Sequence, residues 1–450
     1  MGRVGPSLGR RAERGEAYFS SVELSGACLR RCPKRWRMKF FFPDSLDQVS
    51  PTYDFVHDEH SPLRVRQRDD RYAHEVLTAP AYDGILVSKA IVDGSIKGVG
   101  KYSMPQRQRL YRLGVRGFYR LPSDVETLGD CGAFNYVNEP KPPYTVDEVL
   151  DFYEHCGFDA GVSVDHIILG FRRDLSDAPD DWKERRRISL ALAETFKAAA
   201  EARNSSMSLL GAAQGWDPKS YADSVRQLQD MGYTRIALGG MVPLKTTDIL
   251  ACLLTIERIR TPKTQLHLLG ITRLEAMAEF ESLGVASFDS TSVFRQSFMD
   301  DRDNYHTTSR TFAAIKVPQV DGNVSLKRAI LAGRVSQQHA IEAERNSLQA
   351  LRAFDKGELT VDQTLDEVIA YEEVIGVKKS YRDAYSETLK AAPWKSCRCG
   401  LCERHGIEMA IFRASERNKR RGFHNLSVLA EKMKTLRPAD EPILERTAGG

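Results

Sequence analysis

The sequence predicts an α/β protein built on a closed (β/α)8 barrel of the TIM type. Three observations carry that prediction. Short apolar runs alternate with helical patterns from about residue 83 onward, as parallel strands joined by helical crossovers do. The runs number about eight, which suits a closed barrel better than an open sheet. Polar residues stand at the C-terminal ends of successive runs, the rim where such a barrel places its site.

The elements follow in order. Residues 1–37 hold nine Arg or Lys against three Glu, without an apolar signal-peptide stretch. They read as a disordered basic tail, or as sequence ahead of a start at Met38. The barrel spans 38–300. Its strand candidates are Gly84–Ser88, Gly117–Leu121, a weaker run ahead of Asp130, Gly161–Val164, Leu209–Ala213, Arg235–Leu238, Leu266–Leu269 and Val285–Phe288. Thr145-Val146-Asp147-Glu148 is a capping box that opens a helix to about Cys156, which Gly157 ends. Further helices are predicted over about Asp180–Ala202, Pro218–Met231, Thr246–Ile259 and Thr272–Leu283. Residues 301–390 read as an all-helical insertion, with a turn near Pro318–Asn323, a helix over about Ser336–Phe354 and a second capping box at Thr360 and Gln363. Residues 391–435 form a small C-terminal subdomain, and 436–450 read as a disordered tail.

Composition narrows the function classes. With 450 residues and 42% hydrophobic content the chain can bury a large core. A net charge of +4 permits a nucleic-acid partner without requiring one. No run approaches the roughly 18 apolar residues of a membrane span. The eight cysteines are mostly scattered, as in a reduced, cytoplasmic protein rather than a disulfide scaffold.

Three of those cysteines are not scattered. Cys397, Cys399 and Cys402 lie in Cys-Arg-Cys-Gly-Leu-Cys, a spacing that lets one tight loop aim three sulfurs at one point. Thiolates and an imidazole are the ligands of a closed tetrahedral Zn²⁺ site. On chemistry alone His405 and His424 both qualify as the fourth ligand. With no open coordination position, such zinc is structural.

Along the barrel, Asp130, Asp165 and Asp289 end or follow strand candidates. Gln214, Gly239-Gly240 and Gly270 do the same. Any single Asp there is most simply an N-cap for the next helix. Successive polar ends together favour a site: three carboxylates, an amide and bare glycine backbone suit a planar polar heterocycle with a carboxylate nucleophile beside it.

These residues resemble the guanine transglycosylase family, enzymes that exchange guanine in nucleic acid for a 7-deazaguanine. The resemblance covers about residues 83–300 and 391–430. It implies that Asp289 is the nucleophile and Asp130 the general acid/base, with a raised pKa. Asp165, Gln214, Gly239, Gly240 and Gly270 would bind the base, and Phe134 and Leu269 would sandwich it. His424-Asn425-Leu426 matches the family's metal motif, which selects His424 over His405 and implies structural Zn²⁺. Departures from the tRNA enzymes are Cys131 and Ala133 in their Asp-Ser-Gly-Gly-Phe motif, His166-Ile167 after Asp165, and Ser290–Arg295 in place of Leu-Pro-Thr-Arg. Together with Met38–Asp44 and Val65–Asp70 they make the chain most similar to the DNA-modifying branch, implied to insert 7-cyano-7-deazaguanine (preQ0) into DNA with partner proteins that use ATP. Arg295 and the basic run Arg413, Arg417, Lys419, Arg420 and Arg421 are candidate phosphate contacts. The alternatives are the same exchange on tRNA and a non-catalytic nucleic-acid-binding subunit. A homodimer is compatible with all three.

Overall fold

The computed structural model describes residues 37–436, apart from 44–45, 96–97, 174–176 and 378. The predicted basic tail, apart from Arg37, and the C-terminal tail beyond Leu436 lie outside the described residues, as does Asp44.

Eight parallel strands close the barrel. We number them β1 Lys39–Pro43, β2 Gly84–Ser88, β3 Glu126–Asp130, β4 Ala160–Val162, β5 Ser208–Ala213, β6 Arg235–Leu238, β7 Gln265–Leu268 and β8 Val285–Asp289. Each pairs with its sequence neighbours, and β1 closes the ring on β8 through Phe41 opposite Asp289. Side chains alternate across a strand, so one set faces inward. Phe41, Leu86, Leu128, Val162, Leu210 and Ala237 belong to that inner cluster. The flanking Phe40 and Phe42 point outward, where Phe40 stacks on Phe288 at 5.2 Å between ring centroids.

The strand predicted at Gly117–Leu121 is a correction. Residues 117–119 end a helix, α1, over Met104–Tyr119, which Ser103 and Gln106 open with a capping box. Leu110, Val115, Phe118 and Tyr119 are its buried residues, a helical and not an alternating spacing. Short apolar runs do not distinguish a buried helix end from a buried strand. The missing strand is β1, whose three phenylalanines face both the barrel interior and the helices around it.

The crossover helices are α2 Val146–Cys156, α3 Asp180–Ala202, α4 Pro218–Asp230, α5 Thr246–Glu257 and the short α6 Met277–Ser282. Thr145 caps α2 by accepting from the Glu148 N–H, as predicted. After β8 comes α7, Ser292–Met299.

Residues 301–390 are not all helical. Tyr305–His306 and Thr311–Phe312 form an antiparallel pair, and Ile315–Lys316 pairs in parallel with Ile411–Phe412 near the C-terminus. These short extended pieces lack the length of apolar alternation that would reveal them in sequence. The helices α8 Val324–Leu331, α9 Gln337–Lys356, α10 Val361–Val374 and α11 Arg382–Ala391 follow, with caps at Ser336 and Thr360. The last helix, α12 Ala414–Thr435, packs along α7. Gly422 makes that approach possible, because a Cβ there would stand 2.5 Å from Phe294 Cδ2.

Candidate active site and metal centre

The strand order turns scattered sequence positions into one rim. Asp130 and Asp289 end β3 and β8. Gln214, Gly239-Gly240 and Leu269-Gly270 directly follow β5, β6 and β7. Asp165 lies three residues past β4, and Phe134 sits in the turn after β3. These nine residues and Arg295 line one cavity of about 670 Å³.

One side of the cavity is a fixed polar edge. Asp165 is 2% exposed. The Cys131 thiol donates to its Oδ1 at 3.1 Å and the Gln214 amide N–H donates to Oδ2 at 2.6 Å. Gln214 Oε1 accepts from the Ile168 N–H at 3.1 Å, so the amide cannot flip without breaking both bonds. Gly239 is required beside it: a Cβ would lie 2.1 Å from Gln214 Nε2. Burial pushes the Asp165 carboxyl up, and the Cys131 and Gln214 donors oppose that. Phe134, 49% exposed, supplies an aromatic face at the mouth, as a stacking platform needs.

The carboxyls differ in environment. Burial, and then the neighbouring Asp165 and Asp289 carboxylates, push Asp130 up to about 7. Near neutrality it therefore holds a proton a substantial fraction of the time. Asp289 is instead furnished with donors. Its Oδ1 accepts from the Gly270 N–H at 3.1 Å and lies 3.1 Å from His267 Nε2. His267 Nδ1 in turn lies 2.8 Å from the Ser287 hydroxyl. One buried carboxyl can give a proton while another, close by, can attack or stabilise positive charge.

Sequence reasoning missed His267 and Ser287. Leu266 and Leu268 pack into the outer core, so the residue between them faces the barrel interior, where His267 meets Phe41 edge-on. That alternation was the available signal.

The arginine run is a correction. Arg413, Arg417, Arg420 and Arg421 are each at most 6% exposed, so they present no surface to a nucleic acid. Arg417 pairs with Asp58 and with Glu408 at 2.7 Å, and Arg413 with Asp58 and with Glu344 at 2.6 Å. Arg420 pairs with Glu416, while Arg421 donates to the Ile411 carbonyl at 3.0 Å and to Asn418 Oδ1 at 2.7 Å. Asp58 and Glu344 come from segments remote in sequence, which is why a local reading mistook a core for a surface. Lys419 lies 3.9 Å from Asp47. Arg295 lines the cavity, and among the described residues no carboxylate pairs with it.

Cys397, Cys399, Cys402 and His424 bring their ligand atoms within 4.8 Å of one another. The sulfurs of Cys397 and Cys402 each lie 3.5 Å from His424 Nδ1. A tetrahedral ion with bonds of about 2.0–2.3 Å sets its ligands at roughly such separations. His424 Nε2 donates to the His306 carbonyl at 2.8 Å, which leaves the Nδ1 lone pair facing the sulfurs. The donor set therefore fits a metal ion. Asn425, next to it, accepts from the His306 N–H at 3.0 Å and donates to the Asn304 carbonyl at 3.1 Å, tying α12 to the 305–312 hairpin. His405 is not part of the set.

No protein-family model matches the chain. Over 405 residues, 88% of this chain and 97% of the relative, it is 45% identical to a Salmonella montevideo protein named DNA-guanine transglycosylase.

Proposed function

The chain belongs to the guanine transglycosylase family, in its DNA-modifying branch, and from that premise we propose that it replaces guanine in DNA by a 7-deazaguanine, 7-cyano-7-deazaguanine foremost. The observation that carries this reading is the contrast between Asp130, pushed up to about 7, and Asp289, furnished with N–H donors, in one cavity with a base-sized polar edge.

The chemistry follows the logic of a retaining glycosidase. A carboxylate oxygen of Asp289 bonds to C1′ of the target nucleotide as the C1′–N9 bond breaks. The electron pair goes to the departing guanine, and Asp130 supplies the proton that neutralises it. The incoming deazaguanine gives its N9 proton to the Asp130 carboxylate, and N9 bonds to C1′. The ester bond breaks and Asp289 is a carboxylate again. One base leaves, one enters, and the proton on Asp130 is restored.

Asp165 and Gln214 would read the purine edge, with the Gly239-Gly240 backbone beside them, and Phe134 and Leu269 would hold its faces. A base inside a duplex must first be flipped out, at a few kcal/mol. Partner proteins that use ATP would meet that cost, and a homodimer would enlarge the DNA-binding surface. Arg295, which lines the cavity, would hold a flanking phosphate. We assign Zn²⁺ to Cys397, Cys399, Cys402 and His424, where it would fasten the C-terminal segment to the barrel. No described helix is long and apolar enough to cross a membrane, in keeping with an enzyme that works on DNA in the cytoplasm.

The test offers labelled deazaguanine with two polymers, guanine-containing DNA and anticodon stem-loops, with partner proteins from the same source. Label is expected in DNA only. Label confined to the stem-loops would replace DNA by tRNA as the substrate, and label in neither would overturn base exchange.

A further inference from the structure

We propose that His267 is a positioning residue for the nucleophile: with Ser287 fixing its tautomer, it holds Asp289 Oδ1 so that Oδ2 is the oxygen that bonds to the sugar. This rests on the proposed role of Asp289 and assigns that carboxylate's two oxygens different tasks.

The geometry comes from strand register. Ser287 and Asp289 are two residues apart on β8, so both face the barrel interior. His267 on β7 stands directly opposite Ser287. A register shift between Val285 and Ser287 precedes this pair, of the kind that re-aims side chains next to active sites. The imidazole thus reaches both neighbours, at 2.8 Å to Ser287 Oγ and 3.1 Å to Asp289 Oδ1.

Donor arithmetic sets the proton. An ionised carboxylate only accepts, so Nε2 carries the N–H that faces Asp289. In the neutral ring Nδ1 then has only a lone pair, and the Ser287 hydroxyl donates to it. His267 is 1% exposed and Ser287 is 5% exposed, so water does not compete for either bond. The Gly270 N–H reaches the same Oδ1 at 3.1 Å. Two donors therefore converge on Oδ1, and no described protein donor reaches Oδ2.

The consequence is directional. In the covalent ester Oδ2 is bonded to C1′ and Oδ1 is the carbonyl oxygen. When N9 of the incoming base bonds to C1′, the C1′–Oδ2 bond breaks and its electron pair returns to the carboxylate. Negative charge then grows on Oδ1, where two fixed N–H groups already point. Preorganised donors at a developing charge lower a barrier more than donors that must reorient. His267 therefore assists breakdown of the ester more than its formation.

The experiment follows exchange turnover, KM for DNA and the steady-state fraction of covalent adduct in His267→Phe, His267→Gln and Ser287→Ala, with Asp289→Asn as reference. Removing one such donor costs roughly 100-fold in turnover in a comparable setting. His267→Phe is expected to fall by about that much at unchanged KM, with more enzyme trapped as adduct. His267→Gln, which keeps an amide N–H, should recover most of the loss. Ser287→Ala should slow turnover less, and imidazole ¹⁵N NMR, which needs no turnover, should show His267 losing its single Nε2–H tautomer. The inference is overturned if His267→Phe turns over like wild type, or if Gln is no better than Phe and adduct does not accumulate. If His267→Phe does not fold, Gln and Ser287→Ala decide by the same criteria. Undiminished exchange in Asp289→Asn would overturn the nucleophile assignment itself, and this inference with it, whatever the His267 variants do.

Discussion

Asp130 joins function to stability through one proton. Its pKa is near 7 in the fold and close to the ordinary 3.8 in the unfolded chain. Below about pH 4 both states are protonated and nothing is lost. As pH rises toward 7 the unfolded chain ionises while the native site keeps its proton, so stability falls, and above 7 the loss is complete. Asp130→Asn removes the buried charge. It should match wild type in thermal melting near pH 4 and exceed it by a few kcal/mol at pH 8, while exchange is lost. A Tm difference independent of pH would contradict the assignment. If Asp130 is the acid proposed above, kcat/KM for DNA should fall as pH rises through 7, because the first step would need its protonated form. Asp130, Asp165 and Asp289 were legible in the sequence because strand ends in a barrel share a rim. His267 was not, because a single histidine inside an apolar run has no local signature of the partner it meets across the sheet.

Among the elements, those whose partners are local were read best. The capping boxes at Thr145 and Thr360, and helix α3, follow from residues within one or two turns. The exchange of a predicted strand at 117–121 for β1 at 39–43 has the opposite cause, since both are short apolar runs that only the ring of neighbours decides. The arginine run of α12 shows the same limit in charge. Asp58 and Glu344 are far from Arg413 and Arg417 in sequence, yet their side chains meet in the core. Removing one partner of such a buried pair costs about 3–5 kcal/mol, so these arginines hold α12 in place rather than hold DNA. A metal ion held by Cys397, Cys399, Cys402 and His424 would fasten α12 further along, as proposed above. Cys399→Ser should lose bound metal and lower the melting temperature, and chelation should do the same to wild type but little further to the variant. Full metal content in Cys399→Ser would remove that ligand from the set.

At the scale of the whole molecule, the barrel converts eight chain segments into one cavity, and the C-terminal segment is bolted against it by α7, α12 and the 305–312 hairpin. Barrel closure puts Asp289 beside β1, within the same ring that carries Asp130 across β2, so the proposed acid and nucleophile share a cavity through topology rather than proximity in sequence. The central claim is that this site breaks and remakes a glycosidic bond through Asp289. The most direct measurement is peptide-mapping mass spectrometry of enzyme quenched during turnover on guanine-containing DNA. The account predicts a nucleotide-linked mass on the peptide that contains Asp289, absent in Asp289→Ala. An adduct mapped to another residue, or undiminished exchange by Asp289→Ala, would contradict it.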